Sequence, residues 1–551
     1  MKRHPLILFL LLFSQSFSQT WQWAKSAGGL NAEYGNSVCT SSTGDVYVTG
    51  SFYSATITFG TTVLTNASTG TGDVFLAKYD AAGNVIWANR AGGGGDDLAS
   101  AVATDAFGNV FVTGYFTGTT SVFGTATLTN TNAGFGDMFL AKYNSSGSFL
   151  WAKSTGGTDW DIAQALATDP NGDVYIAGGF SMSVNFGTGT VTSGGLMDVF
   201  LGKYDQGGNE LWAWGSGGAN NYLANGVVTD AAGKIYIAGG FASASLTFGT
   251  NVLLNAGVGF PDIFFAKFDG TGNPIWSTRE GGPDNDHAVW VSDEHFGEIY
   301  ITGHYHSATF VADTSALYNA GMGDVFVMKY DTAGNVKWAK SHGGMDNDFA
   351  LGLSSDASGN AYVSGMFTSP SISFGSFILT NSSANEDAFI TKYDSAGNVI
   401  WAVSTGGAGN DYANSVCISS AGNLFATGSF ESVSVNFGTN TLTNADNTGN
   451  TPDLFLAKLD VLTGENNFIE SEQISIYPNP SNGIFNLSVN HIDSETMKRV
   501  SVCNVLGEEI YNGEIGTSAN RQIDISNQPK GIYFVKIISE TRISSGKIAI
   551  E

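Results

Sequence analysis

Apolar and polar residues alternate along most of this chain in short runs, and the runs recur. Between Asp97 and Trp151, Ala99, Ala101 and Ala103 alternate with Ser100, Val102 and Thr104, the two-residue period of a strand. Asp105-Ala106-Phe107-Gly108 predicts a turn, with glycine supplying a positive φ. Asn109 to Phe116 (NVFVTGYF) reads as a second strand. A Thr-rich excursion follows, carrying Phe123-Gly124 and Leu128-Thr129-Asn130. Asp137 opens a third strand ending at Tyr143, and Asn144-Ser145-Ser146-Gly147 turns the chain into a fourth, SFLWAK. Both Gly-bearing turns suit short hairpins. The predicted unit is a four-stranded antiparallel meander with a decorated second connection.

This unit repeats. Trp23, Trp87, Trp151, Trp212, Trp276, Trp338 and Trp401 return every 61 to 64 residues, each five residues before a Gly-Gly pair. A fixed period means one structural unit copied and stacked, and seven strand-rich copies predict a closed ring. The first strand supports convergence on an axis. Its twelfth position after tryptophan is Gly35, Ala99, Ala163, Ala224, Ala288, Ala350 or Ala413, and its fourteenth is Ser37, Ala101, Ala165, Gly226, Trp290, Gly352 or Ser415. These small residues are expected on one face, opposite Val38, Val102, Leu166, Val227, Val291, Leu353 and Val416. The ends of the repeat region complement each other. A lone fourth strand, Trp21 to Lys25, and a final third strand, Asp453 to Leu459, are expected to share one sheet and remove both free edges.

The pattern D-x-F-x-x-K-[YFL], a Gly turn, W, GG and G-N-V-Y-V-T-G resembles the seven-bladed β-propeller repeat (SBBP-type) family of bacterial exported proteins, over residues 20–466. The resemblance implies an all-β fold of seven four-stranded antiparallel blades at 19–460. It implies no single activity, since one fold hosts many functions.

Lys2, Arg3 and His4, an apolar stretch from Leu6 to Phe13, and small Ser16 and Ser18 read as a signal peptide over 1–18, cut before Gln19. No other segment is long enough to span a bilayer. Residues 461–473 read as a polar linker. Beyond it, Ile484 to Val489 alternates and Val500 to Val505 and Gly531 to Ile538 read as strands, predicting a small antiparallel, Ig-like β-sandwich at 474–551. YPNPSNG (477–483), VLGEEI (505–510), PKGIYFVKI (529–537) and GKIAI (546–550) resemble the type A C-terminal sorting domain of the type IX secretion system of Bacteroidota. That resemblance implies the secretion machinery as partner, outer-membrane passage, and cargo left on the cell surface or released.

Acidic residues outnumber basic ones, 49 to 23, for a formal charge of −26, which makes nucleic acid an unfavourable partner. Three cysteines are too few for a disulfide framework. Cys39 and Cys417 occupy the same repeat position. On neighbouring blades one would face the other's back, so free, buried thiols are expected.

Each third strand carries an Asp and, five residues on, a Lys, from Asp73/Lys78 to Asp453/Lys458. The odd spacing puts them on opposite faces, so each Lys is expected to reach a carboxylate on the adjacent blade. A second series, Glu33, Asp97, Asp161, Asp286, Asp348 and Asp411, follows the Gly-Gly pairs, with Tyr222 as the exception. Calcium ligation competes there with a turn role, in which the carboxylates accept backbone N–H bonds. The turn role is the expectation.

The fifth repeat breaks the symmetry. His287, His295, His304, His306 and His342 lie within it, and Trp290 replaces a small residue. His304 and His306, two apart on a strand, share a face and a spacing that can chelate zinc or copper, although surface histidines are the expectation. We take His287, Trp290, His304, His306 and His342 as candidate ligand-binding residues, with no catalytic residue, metal or cofactor assigned. No G-x-S-x-G, H-E-x-x-H or Walker loop occurs. The expected function is a non-enzymatic, exported, monomeric binding or scaffold protein for a glycan or a surface protein. Two alternatives remain. One is a carbohydrate-active hydrolase or lyase with its site at the axis near repeat five; the other is a structural surface-layer component.

Overall fold

The computed structural model describes residues 19–293, 297–313, 315–460, 474–489, 499–504, 509–514, 520–538 and 543–551. The expected signal peptide, the linker at 461–473, His295 and most of the VLGEEI segment lie outside them. The chain divides into two compact units, 1–461 and 462–551.

The described residues of the first unit are all strand, turn and loop, with no helix. Six four-stranded antiparallel sheets and a seventh, extended to six strands where the hairpin Thr120–Phe123/Ala126–Thr129 adds onto Val85–Gly93, follow one another as propeller-like blades, and the repeat dictates them. Sheet 1 spans 33–93, sheet 2 97–155, sheet 3 161–216, sheet 4 222–280, sheet 5 286–342 and sheet 6 348–405. Sheet 7 combines Asp411–Ile418, Leu424–Phe430 and Asp453–Asp460 with the N-terminal strand Thr20–Ala27. That last pairing runs from Thr20↔Asp460 to Ala27↔Leu454, as the complementary ends of the repeat region predict.

The second and third strands of sheet 1, Val46–Phe52 and Asp73–Tyr79, are buried along their whole length. They are covered on both faces, which explains their near-continuous apolar sequence. Each decorated connection is a two-stranded hairpin. In sheet 1, Thr56–Phe59 pairs with Thr62–Thr65 and turns Ile57, Phe59 and Leu64 into the core. The Phe59 and Phe75 rings then meet at 5.0 Å.

The first strand departs from plain alternation. In sheets 1 to 6 the register slips between its twelfth and fourteenth positions, as at Gly35/Ser37 and Ala99/Ala101, and in sheet 7 between Tyr412 and Ser415. One residue per strand is bulged out of the ladder. The two small series therefore do not share a face, contrary to the alternation reading. Ala99 packs with Val102 against Tyr47, Val74 and Leu76 of sheet 1, whereas Ala101 packs against Ala163 and Leu166 of sheet 3. The bulge moves position fourteen to the other side and leaves position fifteen beside position twelve.

Cys39 and Cys417 are free and half-buried rather than fully buried. They pack on different inter-sheet cores, Cys39 between sheets 1 and 2 and Cys417 between sheets 7 and 1.

In the second unit, one sheet holds Ile474–Tyr477, Ile484–Val489 and Asn520–Asp524. The other holds Arg499–Asn504, Glu509–Glu514, Gly531–Ile538 and Ile543–Ile550. Phe485, Leu487, Val500, Val502, Ile523, Tyr533, Val535 and Ile548 form their shared core.

Candidate ligand-binding site at the axis

The bulged residues of the seven first strands are Asn36, Ser100, Gln164, Asn225, Val289, Leu351 and Asn414, and all line one cavity of about 460 Å³ together with Leu98, Ala99, Tyr115 and Trp290. A bulge re-aims a side chain, and here one side chain per sheet is turned out of the ladder and into a shared axial space. Three of these side chains are fixed by the neighbouring strand. Asn36 Nδ2 donates to the Ala99 carbonyl (2.8 Å), Asn225 Nδ2 to that of Ala288 (2.8 Å) and Asn414 Nδ2 to that of Gly35 (3.1 Å). Because the amide nitrogen is the donor, each Oδ1 remains an acceptor.

The sequence reading missed this ring. Its signal was a polar residue at the thirteenth position in five of seven repeats, between two small ones.

Trp290 stands at the cavity wall and packs against the core shared with sheet 6. His287 and His304 are cross-strand partners in sheet 5, as Leu98 and Tyr115 are in sheet 2. They therefore occupy the positions in sheet 5 that border the cavity in sheet 2. The His287 and His304 rings lie 5.4 Å apart, and His304 and His306 lie 5.7 Å apart at 86°. His304 stacks on Phe349 of sheet 6 at 4.0 Å.

These three are half-buried, not surface residues as expected. Burial, then the charges of His287 and His306, pushes the His304 imidazole down to about 3, and burial lowers His287 as well. Burial thus favours the neutral imidazole of His304 and His287. No group of three or more His, Cys, Asp or Glu among the described residues is placed to hold a metal ion.

His342 stands apart from this cluster. It ends the outer strand of sheet 5, with Nδ1 2.9 Å from the Ser373 carbonyl and its ring 4.9 Å from Phe374. Burial lowers it to about 4.

The carboxylates that follow the Gly-Gly pairs are structural. Glu33, Asp97, Asp161, Asp286, Asp348 and Asp411 are 0–1 % exposed. Each accepts a backbone N–H from the second glycine of its Gly-Gly pair, at 2.8 Å from Gly29, 2.8 Å from Gly93, 2.6 Å from Gly157, 2.7 Å from Gly282, 2.7 Å from Gly344 and 2.8 Å from Gly407. This is the turn role. Desolvation raises Glu33, Asp97 and Asp411 to about 7 and Asp161 to about 8. Tyr222 fills the seventh place and donates its hydroxyl to the Ser245 carbonyl (2.9 Å).

The third-strand lysines correct the expectation of a partner on the next blade. Lys78 pairs with Asp45 (2.9 Å), Lys203 with Asp173 (3.0 Å) and Lys329 with Glu298 (2.6 Å), all in the first turn of the lysine's own sheet. The neighbouring sheet offers a main-chain carbonyl instead: Ser145 to Lys78 (3.0 Å), Gln206 to Lys142 (3.1 Å) and Thr332 to Lys267 (3.1 Å). The lysine ammonium groups lie over aromatic rings, as Lys142 Nζ does over Phe111 (4.8 Å).

The described residues of the first unit thus form a repeat protein of propeller-like blades with a polar axial cavity. Residues 475–551 match the family model described as Secretion system C-terminal sorting domain. The chain therefore carries a sorting domain of the type IX secretion system, which directs it to a secreted or cell-surface location. The chain is also 25% identical over 506 residues to an uncharacterized WD repeat-containing protein, L264, of Acanthamoeba polyphaga mimivirus, covering 75% of this chain and 36% of that protein. It is 34% identical over 110 residues to the regulatory protein FlaEY of Caulobacter vibrioides, covering 20% of this chain and 12% of that protein. The chain thus spans about a third or less of the length of these relatives.

Among solved structures, a fungal alcohol oxidase of the AA5 family in complex with copper aligns with TM-score 0.39 at 12% identity, over 97% of this chain and 99% of that one. Sqt1 from Chaetomium thermophilum aligns with TM-score 0.37 at 10% identity, over 76% and 83%. At these scores neither bears on the fold or the chemistry. No helix among the described residues is long and apolar enough to cross a membrane.

Proposed function

We propose that this chain is an exported, non-enzymatic binding protein. In this reading the seven sheets are the blades of a closed β-propeller, followed by an Ig-like sandwich, and the protein is displayed on the outer face of the outer membrane or released from it. It holds its ligand at the axial cavity bordered by sheet 5.

The observation that carries this reading is the cavity itself. Its lining offers amides, hydroxyls, aliphatic groups and two aromatic rings, but no carboxylate, imidazole or thiol. The Ser100 and Tyr115 hydroxyls have no carboxylate, imidazole or ammonium group in the lining to activate them for general acid–base or nucleophilic chemistry, so the lining favours holding a ligand over turning it over. Concave sites with a few convergent polar groups are the usual form of ligand pockets.

The test is sedimentation of the purified full chain with insoluble envelope polysaccharide and with envelope protein, followed by assay of the supernatant. Retention without product is expected. Release of reducing ends, unsaturated sugars or peptides would overturn the reading in favour of an enzyme.

A further inference from the structure

The axial cavity is not chemically uniform around its circumference. Sheets 7, 1, 2, 3 and 4 contribute Asn414, Asn36, Ser100, Gln164 and Asn225. Sheets 5 and 6 contribute Val289, Trp290 and Leu351. The bulged side chains are therefore hydrogen-bonding in five sheets and apolar in sheets 5 and 6, where an indole joins them, while sheet 2 adds Leu98, Ala99 and Tyr115 to the wall. The chain has a formal charge of −26, yet no charged side chain lines this cavity.

From this division we propose that the cavity binds the terminal unit of an uncharged glycan, with an apolar sugar face on Trp290 and its hydroxyls on the amide arc. The inference rests on the cavity being the ligand site.

The arc suits hydroxyls. Asn36, Asn225 and Asn414 each use one Nδ2 hydrogen on a neighbouring carbonyl. Each keeps an Oδ1 acceptor and a second N–H, a mixed set that a hydroxyl, at once donor and acceptor, satisfies. A carboxylate or sulfate ligand finds no Arg or Lys lining the cavity to offset its desolvation. A cationic ligand finds no carboxylate there to pair with. A neutral polyol with one apolar face satisfies both kinds of lining. A volume of about 460 Å³ admits a small terminal unit rather than a folded domain. The partner is thus read at its chain end.

The test is calorimetric titration of the purified full chain with neutral gluco-, xylo- and manno-oligosaccharides and, in parallel, with alginate and polygalacturonate oligosaccharides. At least one neutral series is expected to bind and the acidic ones not to. Trp290→Ala should weaken binding about tenfold, the loss of one aromatic contact. Asn225→Asp keeps the shape but disturbs the donor to Ala288; it should weaken binding severalfold, with an unchanged unfolding midpoint confirming the fold.

No neutral series binding, or equal binding by Trp290→Ala and the parent, would overturn the proposal. Tight binding of an acidic oligosaccharide that is lost in Trp290→Ala would also overturn it, while leaving the axial cavity standing as the ligand site. Envelope retention unaffected by Trp290→Ala would instead remove the cavity reading itself.

Discussion

Trp87 of sheet 1 donates its indole N–H to the Ser145 carbonyl of sheet 2 at 3.2 Å, an oxygen that Lys78 also reaches at 3.0 Å. The same pair of donors meets one carbonyl at other boundaries, as with Trp151 and Lys142 on Gln206, and with Trp276 and Lys267 on Thr332. At these boundaries the recurring tryptophan and the recurring lysine are thus one device, which clamps the final turn of the next sheet. Trp23 of the N-terminal strand continues the series by donating to Ala81 of sheet 1 (3.2 Å).

Trp401 of sheet 6 is the exception: it is 2 % exposed and its Nε1 has no hydrogen-bond partner among the described residues. The sheet it faces takes its fourth strand from Thr20–Ala27, so no continuous turn joins that sheet's third and fourth strands. Trp87→Phe should lower stability by about 1 kcal/mol through the lost bond. Trp401→Phe has no such bond to lose, and its cost is the cavity left by the smaller ring. The urea midpoint of Trp87→Phe checks the first loss, and an unchanged midpoint would contradict the clamp.

The clamp also explains the glycine in each final turn. Gly147 has φ +82°, and a Cβ there would lie 2.7 Å from the Trp87 ring. Gly147→Ala faces both a left-handed backbone and a clash with an indole, and should destabilise by more than about 1 kcal/mol. Gly44 has a similar φ of +85° with nothing near its Cβ position, so Gly44→Ala should cost only the backbone term. Thermal unfolding of the two variants separates the contributions.

The architecture was legible because it is written seven times. Spacing of tryptophan and Gly-Gly marked the sheets, and the complementary ends of the repeat predicted that Trp21–Lys25 and Asp453–Leu459 share one sheet, as they do. The bulge was not legible, because a single extra residue leaves the count of apolar positions unchanged while swapping the faces of Ala99 and Ala101. The axial ring was missed for the same reason. The lysine partners were misplaced because spacing fixes a face but not reach: a long side chain with its ammonium over Phe111 ends at a turn of its own sheet as readily as at a neighbour. The histidines stood out as a departure from the repeat, but only the fold separates His287, His304 and His306 from His342.

Two kinds of carboxylate set the pH dependence. Burial raises Asp73, Asp324, Asp348 and Asp453 to about 6, Glu33, Asp97 and Asp411 to about 7, and Asp161 to about 8. Their unfolded values lie near 4. Between about pH 4 and pH 8 the folded chain holds more of these protons than the unfolded chain, so stability falls as pH rises through that window. The turn carboxylates Asp80, Asp205, Asp331 and Asp394 are lowered, chiefly by bonds from the asparagine four residues on working against a burial effect. Their contribution is present above the unfolded value and is lost on acidification below it. Stability should therefore peak near pH 4 and decline toward pH 8. Asp161→Asn should flatten the alkaline side, and an unfolding midpoint that rises from pH 5 to pH 8 would contradict the burial account.

His304 carries a buried Nδ1 with no hydrogen-bond partner among the described residues, while its ring stacks on Phe349. Phenylalanine keeps the stacking ring and removes the unsatisfied nitrogen, whose desolvation costs about 1–3 kcal/mol. His304→Phe should hold or raise the unfolding midpoint. His304→Ala should lower it, because the Phe349 contact is lost. A drop with phenylalanine would mean that the imidazole nitrogen is engaged in solution.

Export and folding are separable in this chain. The core of the second unit, from Phe485 to Ile548, is built from its own strands alone, and residues 475–551 are the segment that matches the sorting-domain family. The sheets of the first unit draw every strand from residues 20–460. Deleting 475–551 should therefore leave a folded first unit with the same near-ultraviolet circular dichroism, held in the periplasm rather than on the surface or in the medium. Cell fractionation with surface protease treatment reads the location. Surface display without the tail would remove the sorting role, while an unfolded periplasmic product would mean that the second unit also supports the fold of the first.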